Sequence, residues 1–209
     1  NYNDSPLGPQ FTFANTITIN SPFTGETGND ITASMIASNS EVGIYVDNRD
    51  AGSVPGGDVT QILEDFSNII QPRVNTFAGN PSDINSDGGV VIFISSMLPA
   101  NVLGFFRPAD LLPNGFVAGV ESNEQEILYI AAPTTSNPAN SPLYLATVAH
   151  EYTHLVNFSN KTLTPFNDSG GTNLILEELA VEEGKAHFME VVIGYGSGDT
   201  FAVAVIYLD

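Results

Sequence analysis

Apolar and polar positions alternate at the start of the chain. Phe11-Thr12-Phe13 and Ile17-Thr18-Ile19 repeat every second residue, and Val42-Gly43-Ile44-Tyr45-Val46 follows a turn-rich gap, which predicts strands. Past a loose stretch over 52–57 the period changes. Ile62, Leu63, Phe66, Ile69 and Ile70 recur at helical spacing, Asp58 and Gln61 suit a capping box at the entrance, and Pro72 is expected to end or kink the helix. A Gly/Asn/Asp-rich turn over 79–89 feeds Val90-Val91-Ile92-Phe93-Ile94, an unbroken apolar run that predicts a strand buried on both faces. Residues 99–122 read as loop and 126–130 as another strand. Ser141-Pro142 is a helix entry, with Ser as the cap and Pro in the first turn. The helix it opens, 143 to about 158, is apolar on most sides and should be buried. Asn173 is expected to cap a further helix running to about 193 and closed by Gly194-Tyr195-Gly196, while 201–208 suits a strand or a truncated helix. The order of elements, without repeat or linker, predicts one α+β domain over 1–209. It has a β-rich segment over 1–46, then a mixed sheet packed on helices over 47–209.

Charge narrows the list of partners. The 209 residues carry 24 Asp+Glu against 5 Lys+Arg, a net charge of −19. Nucleic acid is excluded, because phosphate contacts need a basic footprint, and an anionic membrane surface would repel the chain. No apolar run approaches the roughly 20 residues that span a bilayer. Cys 0 removes disulfides, thiolate ligands and cysteine nucleophiles together.

The chemistry concentrates in His150-Glu151-Tyr152-Thr153-His154. On a helix, residues four apart share a face, so both imidazoles can reach one zinc ion. Glu151 lies close enough to act on a water at that ion, taking its proton and passing it to a leaving amine. A catalytic zinc needs a third protein ligand, and no His stands at Asn160 to serve. The helix after Asn173 offers Glu177, Glu178, Glu182, Glu183 and Glu190. With Ile175 at the centre of its apolar face, Glu178 and Glu182 flank one side and Glu183 and Glu190 the other, leaving Glu177 on the solvated face. Periodicity does not choose between the flanks.

Glu182-Glu183-Gly184-Lys185-Ala186-His187, with Glu190 and Gly194-Tyr195-Gly196 beyond, resembles the second signature of the hyicolysin family of secreted bacterial metallopeptidases. The likeness extends over about 44–196 and takes in Phe77-Ala78-Gly79, the 83–88 turn, Gly104-Phe105-Phe106 with Asp110, Asn123, and 150–158. It implies a zincin-like, gluzincin fold in which the Glu of a Leu-x-Glu-Gly-x-Ser/Ala-His stretch is the third zinc ligand, which falls on Glu183 here. The family's usual Trp before that stretch is replaced by Ala180-Val181, which keeps Glu178 as the alternative ligand. The chain stops at Asp209, where thermolysin-type relatives continue, so a truncated chain or a shallower cleft is expected. The start at Asn1, without initiator Met or apolar leader, reads as a mature or trimmed chain, and the Lys-poor, hydrated composition together with the resemblance suits a secreted or extracellular protein, or one of the bacterial cell envelope.

Tyr195, His187 and Tyr152 are candidate donors to the oxyanion that develops when a carbonyl is attacked. Asp83, Asn85 and Asp87 before Gly88 match the first half of a calcium loop, but Ile94 replaces the usual Glu at the twelfth position, so a polar turn is an equal reading. The resulting expectation is a zinc-dependent endopeptidase acting on peptides or proteins. The alternatives are a zinc-holding binding or adhesion module without turnover, and a zymogen fragment whose pro-segment runs from Asn1 to about Val46.

Overall fold

The computed structural model describes residues 13–23 and 30–196. The expected strand over 11–13 and the apolar tail over 201–208 lie wholly or partly outside these residues. Six strands form one sheet in the order β1-β2-β3-β4-β6-β5. They are β1 (Thr16–Asn20), β2 (Asp30–Ser38), β3 (Val42–Asp47), β4 (Val90–Ser95), β5 (Gly104–Phe106) and β6 (Ile127–Ala131). The centre, β3-β4-β6, is parallel, whereas β1, β2 and β5 run antiparallel to their neighbours. The chain is thus mixed α+β, as its pattern predicts.

The unbroken apolar run of β4 explains its central place. Val90, Ile92 and Ile94 face one core with Ile44, Val46, Leu128 and Ile130, while Val91 and Phe93 face a second with Tyr45 and Tyr129. Helices cover the first face. Phe13, Ile19, Phe23, Ile31 and Leu98 cover the other. β3 is buried throughout and sits between β2 and β4, so a pro-segment ending near Val46 would carry away a core strand.

Two prolines are absorbed rather than obeyed. The helix entered at α1 (Gly56–Asp65) passes through a π-helical turn, Phe66–Ile70, and resumes as α2 (Gln71–Ala78) with Pro72 in its first turn. Pro has no N–H and its ring crowds the preceding turn, so widening the helix just before it removes the conflict. The same device recurs after α3 (Pro142–Phe158), where a π-helical turn over Ser159–Leu163 leads into α4 (Thr164–Asp168) with Pro165. The expected capping box at Asp58 is not formed. Pro55 holds the N-cap position without a side-chain bond, and Gln61 donates to Asp65 Oδ2 at 2.7 Å instead.

The last helix, α5 (Leu179–Val192), starts about five residues later than expected, with Glu178 rather than Asn173 at its N-cap. Residues 173–178 run without helix, and the Ile175 carbonyl accepts from Thr162 Oγ1 at 3.1 Å. Leu179 and Ile175, expected on the apolar face, are exposed at 71% and 62%. The stripe that meets α3 instead contains Ala186, Met189 and Glu190, all buried. Ala186 is small enough to let the two helices approach closely.

Candidate metal centre

α3 is nearly all buried, and it is anchored as its sequence predicts. Ser141 Oγ accepts from the Tyr144 amide at 3.1 Å, and Pro142 occupies the first turn. α5 is tied to its neighbours at its C-terminal end and from its middle. Arg73 on α2 donates to the carbonyls of Val192 and Ile193 at 3.0 Å each, placing a cation at the helix C-terminus, where the dipole favours it. From the middle of α5, Lys185 donates to Glu177 Oε2 at 2.7 Å and to Asn157 Oδ1 at 3.2 Å, and Asn157 Nδ2 donates to the same Glu177 oxygen at 2.7 Å. Glu177, expected on a solvated face, is therefore a tether. Although partial burial raises it, the bonds from Lys185 and Asn157 hold its carboxyl below the usual range.

These ties bring one face of α3 against one face of α5. His150 Nε2 and His154 Nε2 lie 3.0 Å apart. Glu183 Oε2 is 3.3 Å from His150 Nε2, and Glu183 Oε1 is 3.6 Å from His154 Nε2. The fit to an ion can be tested on these numbers. Donors at about 2.0–2.1 Å from a tetrahedral zinc are about 3.3 Å from one another. The three observed separations bracket that value, and two imidazoles with one carboxylate are the donor chemistry zinc accepts. These residues fit the group.

Behind the three donors stands a further ring of acids. Glu190 Oε1 lies 2.7 Å from His150 Nδ1 and 2.9 Å from His187 Nδ1, and Glu182 Oε1 lies 3.4 Å from His154 Nδ1. Burial pushes His150 down, but the bonds to Glu183 and Glu190 outweigh it, and the ring is raised to about 10. Glu183 is lowered by its bond to His150, against its partial burial. Of the carboxylates the sequence left open, Glu183 reaches both Nε2 atoms, Glu182 and Glu190 stand behind the rings, and Glu178 stays at the helix entrance.

Glu151 is 6% exposed. Burial raises its carboxyl, while the flanking His150 and His154 pull the other way. Its far side meets β5, where Phe106 donates its backbone N–H to it. A Cβ on Gly104 would stand 3.0 Å from Glu151 Cγ and 2.8 Å from Thr147 Cγ2, so only glycine lets β5 lie this close to α3. Three residues are too short to register as a strand in a pattern, and the signal available was the aromatic pair: Phe105 stacks on Tyr129 at 4.7 Å. Of the candidate oxyanion donors, Tyr152 bonds Asn75 in the core at 2.7 Å. Tyr195 bonds Asp65, burial and that carboxylate raising its hydroxyl to about 12. His187 lies beside the pair, its ring 4.7 Å from that of His150.

In the 83–88 turn the carboxylates are engaged locally. Asp83 Oδ1 accepts from the Gly88 amide at 3.1 Å, Asp87 Oδ1 from the Gly89 amide at 2.9 Å, and Asp87 Oδ2 from Asn85 Nδ2 at 2.8 Å. Glu126, outside the sequence expectations, sits at the base of this turn. Its Oε1 accepts from Ser82 Oγ at 3.0 Å and from the Ile84 amide at 2.9 Å, while its buried Oε2 has no partner.

A pair of imidazoles and a carboxylate on two packed helices, next to an acid and an edge strand, makes a site of the metal-binding kind, and similarity supports a metallopeptidase relationship. The chain is similar to the neutral metalloprotease ShpI of Staphylococcus hyicus, with 32% identity over 121 residues, 52% of this chain and 26% of that protein. The match thus spans about a quarter of the relative's length. No family model matches the chain. Among the described residues, no helix is long and apolar enough to cross a membrane.

Proposed function

We propose that the chain is the zinc-binding part of an endopeptidase of gluzincin type, with His150, His154 and Glu183 as metal ligands and Glu151 as general base. The observation that carries this reading is the convergence of the two Nε2 atoms, 3.0 Å apart, with the Glu183 carboxylate, whose two oxygens lie 3.3 and 3.6 Å from them, beside the buried Glu151. The hyicolysin resemblance and the likeness to a neutral metalloprotease support it. Zinc, when bound, supplies Lewis-acid polarisation of a carbonyl and makes a nearby water more acidic.

The protein's own groups supply the rest. A peptide adds antiparallel or parallel to the edge strand β5, main chain to main chain, which gives affinity for extended substrates regardless of sequence. Glu151 takes a proton from the attacking water on one carboxylate oxygen and returns it to the leaving amine. Burial raises its proton affinity and so suits it to holding that proton between the two steps. The close approach of β5 at Gly104 holds the stem of this side chain in place while it does so. The protein acts on peptides or proteins outside the cell.

The test pairs metal analysis with peptide hydrolysis. Wild-type protein is expected to bind one zinc per chain and to cleave an unfolded protein substrate, with cleavage lost on chelation. Glu151→Gln should retain the zinc and lose turnover by at least about a thousandfold, since it removes the base and leaves both rings in place. Undiminished turnover in Glu151→Gln would refute the assigned role. Stoichiometric zinc with no cleavage of any unfolded substrate would favour a binding module.

A further inference from the structure

Glu190 does not reach the Nε2 side of the histidine pair, and the proposed reaction gives it no task. Yet its Oε1 is placed against two imidazole nitrogens at once, His150 Nδ1 at 2.7 Å and His187 Nδ1 at 2.9 Å. A carboxylate 9% exposed needs donors, and in this position both rings must present N–H at Nδ1 to supply them. A neutral imidazole with its proton on Nδ1 keeps its lone pair on Nε2. For His150 that is the atom facing Glu183 and His154.

We infer that Glu190 is a positioning residue for the proposed metal centre, and that His187 acts through it. Glu190 holds the ring of His150 with Nδ1–H inward and Nε2 free for the ion. His187, one turn earlier on α5, supplies a second donor to the same oxygen and keeps that oxygen from turning away. The inference rests on the proposed function and assigns a task to residues that function leaves idle. The partner ring is held differently. Glu182 Oε1 is 3.4 Å from His154 Nδ1, an ion-pair contact longer than a good hydrogen bond. The two acids should therefore differ in their effect on the ion. Outer partners of metal-bound histidines commonly change metal affinity by about 10–100-fold.

Zinc affinity, measured by competition with a chromophoric chelator, is expected to fall about 10–100-fold in Glu190→Ala and less than about threefold in Glu182→Ala, with one zinc per chain throughout. Glu190→Gln keeps an acceptor for His150 and should recover at least half of the loss on a logarithmic scale. Ring-nitrogen spectra of zinc-loaded protein labelled at its three histidines give a readout independent of turnover. His150 should carry its metal on Nε2 and a solvent-protected proton on Nδ1, and that protection should disappear in Glu190→Ala. Unchanged affinity in Glu190→Ala, a metal on His150 Nδ1, or a second zinc lost with Glu190 would each overturn the inference while leaving the proposed function standing. A wild-type protein that takes up no zinc would sink both, whereas one zinc per chain held independently of Glu190 would sink the inference alone.

Discussion

Two glycines near the centre look alike in sequence and should behave oppositely. At Gly104 an added Cβ would lie 2.8 Å from Thr147 Cγ2, 3.0 Å from Glu151 Cγ and 3.1 Å from Ile130 Cδ1. All three neighbours belong to packed elements, so Gly104→Ala forces β5 away from α3. Overpacking of this kind costs about 1–3 kcal/mol. Glycine itself disfavours a strand by about 0.5–1 kcal/mol relative to alanine, which offsets part of that. A net loss of up to about 2.5 kcal/mol follows, about 1 at the centre of the two ranges. At Gly184, within α5, an added Cβ would meet nothing within 4 Å among the described residues. There Gly184→Ala gains helix propensity and should stabilise by about 0.8–1 kcal/mol. Urea unfolding at fixed pH, with equal m-values as the control, measures both changes. Because the Gly104 clash falls on Glu151 and not on the ligands, peptide hydrolysis should drop in Gly104→Ala while zinc stoichiometry holds. A Gly104→Ala protein as stable and active as wild type would refute the close approach of β5 to α3 and the positioning of Glu151 by that strand.

Two further outcomes follow from the carboxylates. Glu183→Ala should weaken zinc binding by at least about a hundredfold if it removes the proposed third ligand, whereas Glu178→Ala should leave affinity within about threefold; isothermal titration of each variant separates them. Burial raises Glu126 to about 7, against bonds from Ile84 and Ser82. Its folded value lies above its unfolded one, so the folded state binds the proton more tightly and stability falls as pH rises from about 4.5 through about 7. A shift of this size corresponds to something on the order of 3 kcal/mol. Glu126→Gln is neutral at every pH and should therefore be more stable than wild type at pH 8 and nearly equal at pH 5 by urea denaturation.

The metal centre divides between what is local and what is not. His150, Glu151 and His154 were legible because one helix fixes their spacing, and the sequence signals that helix with Ser141-Pro142 and a run of apolar residues. The continuous strand Val90–Ser95 was legible for a similar reason, since burial on both faces leaves no polar alternation. Pro72 misled because a π-helical turn just before it absorbs the proline, which then stands in the first turn of α2. Asn173 misled because the tether of Glu177 to Lys185 and Asn157 keeps the chain out of helix up to Glu178, and no local pattern encodes a contact between elements.

The sequence by itself therefore determined the element types, the acidic character and the two imidazoles, all of which follow from composition and from periods of two or four residues. It narrowed the third donor to a few glutamates on one later helix, and family resemblance pointed to Glu183. Only the tertiary structure decided which acid stands where. The rotation of α5 about its own axis is set by Arg73 at its end, Lys185 at its middle and the buried Ala186 and Met189, and a helix turned by one residue, about 100°, would present a different carboxylate to the same histidines.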